Sequence, residues 1–374
     1  MVLMALDHVR DYFHYGTSLG DPTNLETTTP FLFFTRFITH YCAPVFVFLA
    51  GTSAFLYGNK NGQKSLFKFL ITRGIWLIAL EVLLNNLIWQ FDLGYHFIVL
   101  QVIWAIGFSM ICLSFLTFLP RILLLCLGLI IVFGHNMLDG IVAEGDSTRS
   151  VIWYALHQVN VITLGDNHSL AFFYPVLPWI GVMILGFCLG SLYKSDVSSN
   201  TRRPWLLGIG LGALLLFFIL RGINLYGDLV PWSNQKNTTF TILSFFNVTK
   251  YPPSLAYVLI TIGPALLFLF AIESVKSKVT DFFLVFGRVP FFYYFLHVLT
   301  IHVFAIIGVI IFQPNWKEIL ADENLRAFQL AAYGYSLFIT YMVWIGVVFF
   351  LYPLSKKYMT YKANNKGKWW LSYL

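Results

Sequence analysis

Apolar runs long enough to cross a bilayer recur along this chain, at about 37 to 58, 67 to 90, 97 to 119, 121 to 138, 174 to 193, 204 to 222, 254 to 273, 290 to 312 and 328 to 352. Inside hydrocarbon the backbone finds no water to bond, so spanning segments are confined to helices or closed barrels, and stretches near 20 residues are helix-sized. With 58% hydrophobic and only 11% charged residues, the chain has more apolar surface than a water-soluble core hides. The predicted fold class is all-α: a polytopic integral membrane helix bundle of about ten transmembrane helices, forming a single domain over 1–374. The tenth segment is the opening run, which breaks at Asp7 after six residues. A crossing needs roughly 20 residues, so the first helix is expected to begin upstream of Met1, and an eleventh span is left open. No basic leader or small-residue cleavage site makes that run a signal peptide.

Charge tests the span count. If successive spans alternate in direction, one set of loops holds Lys60, Lys64, Lys68, Arg73, Arg121, Lys194, Arg202, Arg203, Lys276, Lys278, Arg288, Lys356, Lys357, Lys362, Lys366 and Lys368, which is 16 of the 24 basic residues. The other set keeps Arg10, Arg36, Arg149, Arg221, Lys236, Lys250, Lys317 and Arg326 but carries 13 of the 17 acids. By the positive-inside rule the first set is cytoplasmic, which puts both termini inside and the Asp7–Arg36 loop outside. All nine histidines then fall in outer loops or outer halves of spans.

The net charge of +7 comes without a continuous basic face, so no nucleic-acid partner is expected. Cys42, Cys112, Cys126 and Cys188 lack metal or redox spacing, so neither a disulfide framework nor a metal is expected. The outer loops at about 139 to 173 and 223 to 253, rich in Asn, Asp, Ser, Thr and Gly, read either as a lid over an outward cavity or as connectors. KSDVSSNTRR, 194 to 203, reads as a hinge between two bundles.

Ionisable residues at a membrane-helix end are costly and by default mark a site. MVLMALDHVRDYFHY crowds Asp7, His8, Arg10, Asp11 and His14 into one such end. On a helix, Asp7, Asp11 and His14 share a stripe and His8, Asp11, Tyr12 and Tyr15 an adjoining one, so Asp11 is expected to orient either imidazole, the arrangement that general-base catalysis uses. The competing reading is an interfacial salt-bridge cluster with Arg10 as its cation. Arg36 and His40, one turn apart at the entry of the next span, read as completing a pocket with the first helix, or as an interface anchor and an interhelical polar group. Glu81, Asn85, Asn86 and Gln90 form a polar streak with Glu81 near midspan, fit either to line a route or to bond neighbouring helices. His297 and His302 lie five apart, roughly 140° around a helix, which is not the i, i+4 spacing of a helical metal pair.

LMALDHVRDYF, APVFVFLAGTSAFL, TKYPPSLAYVLITIGPALL and GRVPFFYYFLHVLTIH resemble the bacterial membrane proteins related to heparan-alpha-glucosaminide N-acetyltransferase, within the transmembrane acyltransferase superfamily. The likeness is strongest in the first two spans and around 249 to 302. It implies an enzyme that takes an acyl group from acyl-CoA, here acetyl-CoA, on the cytoplasmic side and passes it to a sugar amine or hydroxyl across the cell (inner) membrane, using a histidine at the outer end of the first helix. The superfamily carries an Arg followed by ten residues and then that His. His8 is the position that matches, with the Arg falling ahead of Met1; His14 and His40 have Leu3 and Thr29 in its place, and His14 is the second choice.

On that resemblance the catalytic set is His8 with Asp11, Asp7 and His14, and substrate contacts fall to Arg10, Arg36, His40, Glu81, Asn85 and His297. Arg36 or Asn85 meets the developing negative charge, and Lys60, Lys64, Lys68 and Arg73 attract the CoA phosphates. The expected partners are the bilayer and a sugar or glycan acceptor, with a homodimer left open. The rival classes are a proton-coupled transporter or flippase of a sugar or lipid-linked glycan, which would concentrate its ionisable groups at the midplane, and a membrane scaffold, which needs no cluster around His8.

Overall fold

A computed structural model describes residues 1–16, 20–321, 334–365, 367–368 and 371. In its first third, helices α1 (Val2–Phe13), α2 (Pro30–Thr39), α3 (Cys42–Asn61) and α4 (Gln63–Leu80) are followed by a π turn, Glu81–Asn85, and α5 (Asn86–Gln90). Strand β1 (Phe97–Leu100) precedes α6 (Val102–Leu116), α7 (Arg121–Gly134), a 3-10 turn (His135–Leu138), α8 (Thr148–Leu156), β2 (Asn160–Leu164) and β3 (His168–Phe172). The remainder is α9 (Val176–Leu189), α10 (Ser199–Ile223), α11 (Thr238–Phe246), α12 (Leu255–Ile272), α13 (Lys278–Arg288), α14 (Pro290–Phe312), α15 (Trp316–Ala321) and α16 (Leu337–Asn364). Arg326, Lys366 and the first six residues of the 328 to 352 run, which entered the span and charge readings, lie outside the described residues.

Helix accounts for 72% of the described residues, and seven helices among them are long and apolar enough to cross a membrane. The protein is an all-α, multi-pass membrane protein. Two expected spans need correction. The run at 97 to 119 divides into β1 and the 15-residue α6, because FIVL pairs as a strand before Val102 starts the helix. The last run is displaced toward the C-terminus, as α16 spans Leu337–Asn364.

The described residues group into two compact units. One comprises 1–42, 85–93 and 275–374, with α1 at its centre. Met4, Ala5, Leu6, Val9, Tyr12 and Phe13 are buried on several sides of α1, which packs against α2, α14 and α16. Trp344 on α16 donates to the Val2 carbonyl at 2.8 Å, and the Thr35 and Tyr341 hydroxyls bond at 2.9 Å. Thr29 caps α2 by accepting from the Leu32 amide, with Pro30 in the first turn where its missing N–H costs nothing.

The second unit comprises 43–84 and 94–274. The segment expected as a hinge, 194 to 203, lies wholly inside it: Ser198 caps α10, and Arg202 binds Glu273 and the Leu192 carbonyl. The segments expected as outer loops carry structure of their own. Strands β2 and β3 pair antiparallel and β3 pairs parallel with β1, giving the order β1-β3-β2, over a core of Leu100, Tyr154, Ile162 and Phe172. Farther on, the buried Arg221 guanidinium donates to the carbonyls of Val230, Ser244, Phe245 and Asn247, while Asp228 accepts from Thr249 and Ser254.

Lipid is as apolar as leucine, so helices in a bilayer are held by close packing and interhelical hydrogen bonds rather than by the hydrophobic effect. The α3–α9 contact is built that way. A Cβ on Gly51 would strike the Met183 carbonyl oxygen, and one on Gly186 the Phe48 carbonyl oxygen; Thr52 Oγ1 donates to the Gly186 carbonyl at 2.9 Å. Gly186→Ala should destabilise the protein by about 1–3 kcal/mol, the range for overpacking, and Thr52→Ala by roughly 0.6 kcal/mol. Thermal unfolding in detergent reads both, and an unchanged midpoint for Gly186→Ala would contradict the contact.

Candidate active site

Asp7 is the anchor of the ionisable cluster. Asp7 is 9% exposed; its carboxylate accepts from Arg36 Nη1 at 2.6 and 2.7 Å and from the Thr39 hydroxyl at 2.7 Å, and forms an ion pair with Arg10 Nη1 at 2.8 Å. Arg10, 2% exposed, also donates through Nη2 to Asp11 Oδ1 at 2.5 Å. Two carboxylates and two guanidiniums therefore neutralise one another at the junction of α1 and α2. Arg36 meets the first helix through this cluster, and the salt-bridge reading holds for three of the five clustered groups, Asp7, Arg10 and Asp11.

Asp11 does not orient an imidazole. Its carboxylate bonds Arg10 among the described residues, because a guanidinium one residue away is the stronger, charge-assisted donor. Asp7 is likewise committed to cations and Thr39. His8 is instead tied to the far end of the sequence: its Nδ1 lies 2.8 Å from His297 Nε2, with the two rings stacked at 4.9 Å. His297 Nδ1 in turn lies 2.8 Å from the Tyr293 carbonyl oxygen.

A carbonyl only accepts, so His297 Nδ1 carries a proton. With both rings neutral, His297 Nε2 is then an acceptor and His8 Nδ1 its donor. This places the His8 lone pair, and hence its basicity, on Nε2. His297 is fully buried and His8 half-buried, so His8 is the ring of the pair with an accessible edge. Trp89 and Tyr294 present their rings edge-on to His8 at 4.8 and 6.0 Å.

His302 serves the backbone. Its Nδ1 donates to the Ile88 carbonyl at 2.9 Å, and Tyr12 donates to the Trp89 carbonyl at 2.7 Å. These two side chains satisfy carbonyls at the end of α5, where Phe91 turns left-handed with φ 50°. His14 ends α1, its Nδ1 accepting from the Gly16 amide at 2.9 Å; burial, and then the Arg10 guanidinium, hold this imidazole below its ordinary range. His40 is buried at the end of α2 beside Phe37.

Glu81 and Asn85 are both fully buried at the two ends of the π turn. Glu81 Oε2 accepts from the Trp104 amide at 3.0 Å, in the first turn of α6, where an anion complements the unpaired amides. Lys60, Lys64 and Lys68 are exposed about the α3–α4 turn, and Arg73 stacks over Phe69 at 4.7 Å.

Trp89, Tyr293, Tyr294 and Thr39 escaped the sequence reading. Thr39 stands three residues beyond Arg36 and Tyr293 four before His297, spacings that were open to inspection. Trp89 carries no sequence signal, since an aromatic ring in an apolar run reads as packing.

The model of the catalytic region of heparan-alpha-glucosaminide N-acetyltransferase matches residues 2–222. The chain belongs to that family. No curated protein matches it. The matched stretch includes α1, α2 and α5, and membership makes this heparan-alpha-glucosaminide N-acetyltransferase relative a membrane protein of the transferase class, acetyltransferase-like in kind. His297 and Tyr293 lie beyond the matched residues, so their part in the site rests on geometry alone.

Removing one partner from a buried ion pair leaves an uncompensated charge and costs about 3–5 kcal/mol. Arg36→Met should destabilise the protein by that order, and the double variant Asp7→Asn with Arg36→Met by clearly less than the sum of the singles. Thermal unfolding of the three variants tests this, and simple additivity would refute the pairing.

Proposed function

We propose that this protein transfers an acetyl group from acetyl-CoA to an amine or hydroxyl of a sugar or glycan acceptor, with His8 as the general base. The observation that carries this reading is the hydrogen-bonded series from the Tyr293 carbonyl through His297 to His8, which sets the basic nitrogen of a half-buried imidazole. A thioester is already activated, so the chemistry asks chiefly for a base and for donors to the tetrahedral oxyanion. His8 Nε2 takes the acceptor's proton as its oxygen or nitrogen attacks the thioester carbonyl. The carbon–sulfur bond then breaks, and the proton passes from His8 to the departing CoA thiolate. The positive charge that develops on His8 is shared through Nδ1 with His297 and its carbonyl partner.

Arg10, Arg36, Asp7 and Asp11 act in this scheme as a rigid, neutral buttress for the end of α1 rather than as proton carriers. Lys60, Lys64 and Lys68, exposed about the α3–α4 turn, supply a positive field for the CoA phosphates. The orientation that matches is cytoplasmic for that turn and for both termini, in the cell membrane. The transporter reading leaned on Glu81 as a midspan proton carrier; its bond to the Trp104 amide gives that carboxylate a structural duty instead.

Purified protein should release CoA from acetyl-CoA when offered an amino sugar or glycan. General-base catalysis contributes roughly 10²–10⁴-fold, so His8→Gln should lower kcat by that factor with KM for acetyl-CoA little changed. His14→Gln should stay within a fewfold of wild type. Full turnover in His8→Gln would overturn the assignment.

A further inference from the structure

The second unit holds a polar cluster that the acetyl-transfer reading does not use. His135 opens the 3-10 turn at the end of α7, Asp139 follows one turn later, and His157 ends α8. Each offers one ligand atom, and the three atoms lie within 4.8 Å of one another. His157 Nε2 lies 3.0 Å from Asp139 Oδ1. The two rings meet edge to face at 5.6 Å.

His135 is the telling member. It is 2% exposed, and neither of its ring nitrogens has a hydrogen-bond partner among the described residues. His157 is 3% exposed, and its Nδ1 is likewise without one. Buried polar atoms are nearly always paired, so an imidazole orphaned at both nitrogens beside a carboxylate and a second imidazole calls for an occupant. Two imidazoles and one carboxylate are a donor set of borderline softness that favours late first-row divalent cations over calcium or magnesium.

The surroundings are built to hold such a ligand set. Asp139 Oδ2 accepts from Asn136 Nδ2 at 2.8 Å, which leaves Oδ1 aimed at the histidines, and Asn136 Oδ1 accepts from the Leu255 amide at 2.8 Å. A carboxylate fixed from behind by an amide, itself fixed to a helix start, is the outer-shell support that metal ligands characteristically have.

We propose that His135, Asp139 and His157 bind a divalent transition-metal ion, zinc being the natural occupant. Ligand atoms around a tetrahedral zinc sit about 2 Å from the metal. The rings therefore draw in by on the order of 1 Å, and the ion replaces the proton that now bridges His157 and Asp139. A fourth position is left to water. The ion would staple the segment carrying α8 to the end of α7, which sequence spacing alone did not suggest and which departs from the expectation of a metal-free protein.

The test uses the full-length protein in detergent, stripped by chelator and titrated with Zn²⁺ in a competing buffer, and in parallel with Co²⁺. One equivalent of Zn²⁺ should bind below micromolar Kd and raise the thermal midpoint, and Co²⁺ should develop the visible absorption of a four-coordinate site. His135→Gln, which keeps a polar side chain, and Asp139→Asn should each weaken Zn²⁺ at least tenfold and abolish the Co²⁺ bands. His168→Ala, which breaks the separate His96–His168 stack, should leave both intact. No binding to the wild type, binding unchanged in His135→Gln and Asp139→Asn, or binding lost in His168→Ala would each overturn the site.

Discussion

A carboxylate almost out of water stays charged only where cations stand at hydrogen-bond distance, and Asp7 has two. Because Arg10 reaches it from the next turn of α1 and Arg36 from α2, the carboxylate joins the two helices at a fixed angle and register. Thr39 adds a neutral donor from the same helix as Arg36. Truncating any one member strands the charge of another. The end of α1 is rigid for that reason, and His8, one residue from Asp7, inherits the rigidity. The site is thus divided between a neutralised ion cluster that holds position and an imidazole pair that, in the proposed reaction, handles protons.

That division was half legible in the sequence. Four ionisable residues within five positions at the edge of an apolar run are too costly for mere anchoring, and the fold gathers three of them, with Arg36, into one ion cluster. The nearness of Arg36 to the first helix followed from short connectivity. The partnerships within the cluster did not follow. On a helical wheel Asp11 serves a histidine as well as an arginine, and the choice goes to the guanidinium because a charged, planar donor outcompetes a neutral ring. His297, nearly 300 residues away, was legible as a candidate but not as the partner of His8, since periodicity says which residues share a helix face and nothing about which helices meet.

The fold shows the same boundary. Apolar runs near 20 residues named most helices, because hydrocarbon leaves the backbone few choices. Where water is within reach that constraint lapses. FIVL became the parallel partner of β3, although its composition suits a buried helix equally well. The polar loops acquired order through side-chain bonds to backbone, with Arg221 gathering four carbonyls and Asp228 two hydroxyls and two amides. Such networks depend on a single well-placed residue and leave no periodic trace. His135 and His157 belong to this class as well, for their spacing of 22 positions matches no ligand motif and only the fold brings them to Asp139.

The claim on which the chemistry turns is the tautomer of one ring. Nitrogen-15 spectra of histidine-labelled protein, with His8 assigned by its loss in His8→Gln, read that tautomer directly. A protonated Nδ1 and an unprotonated Nε2 on His8 at neutral pH, with the preference lost in His297→Phe, is the predicted result. A proton resident on Nε2 of the wild-type ring would contradict the account, because the nitrogen assigned to take the acceptor's proton would already hold one.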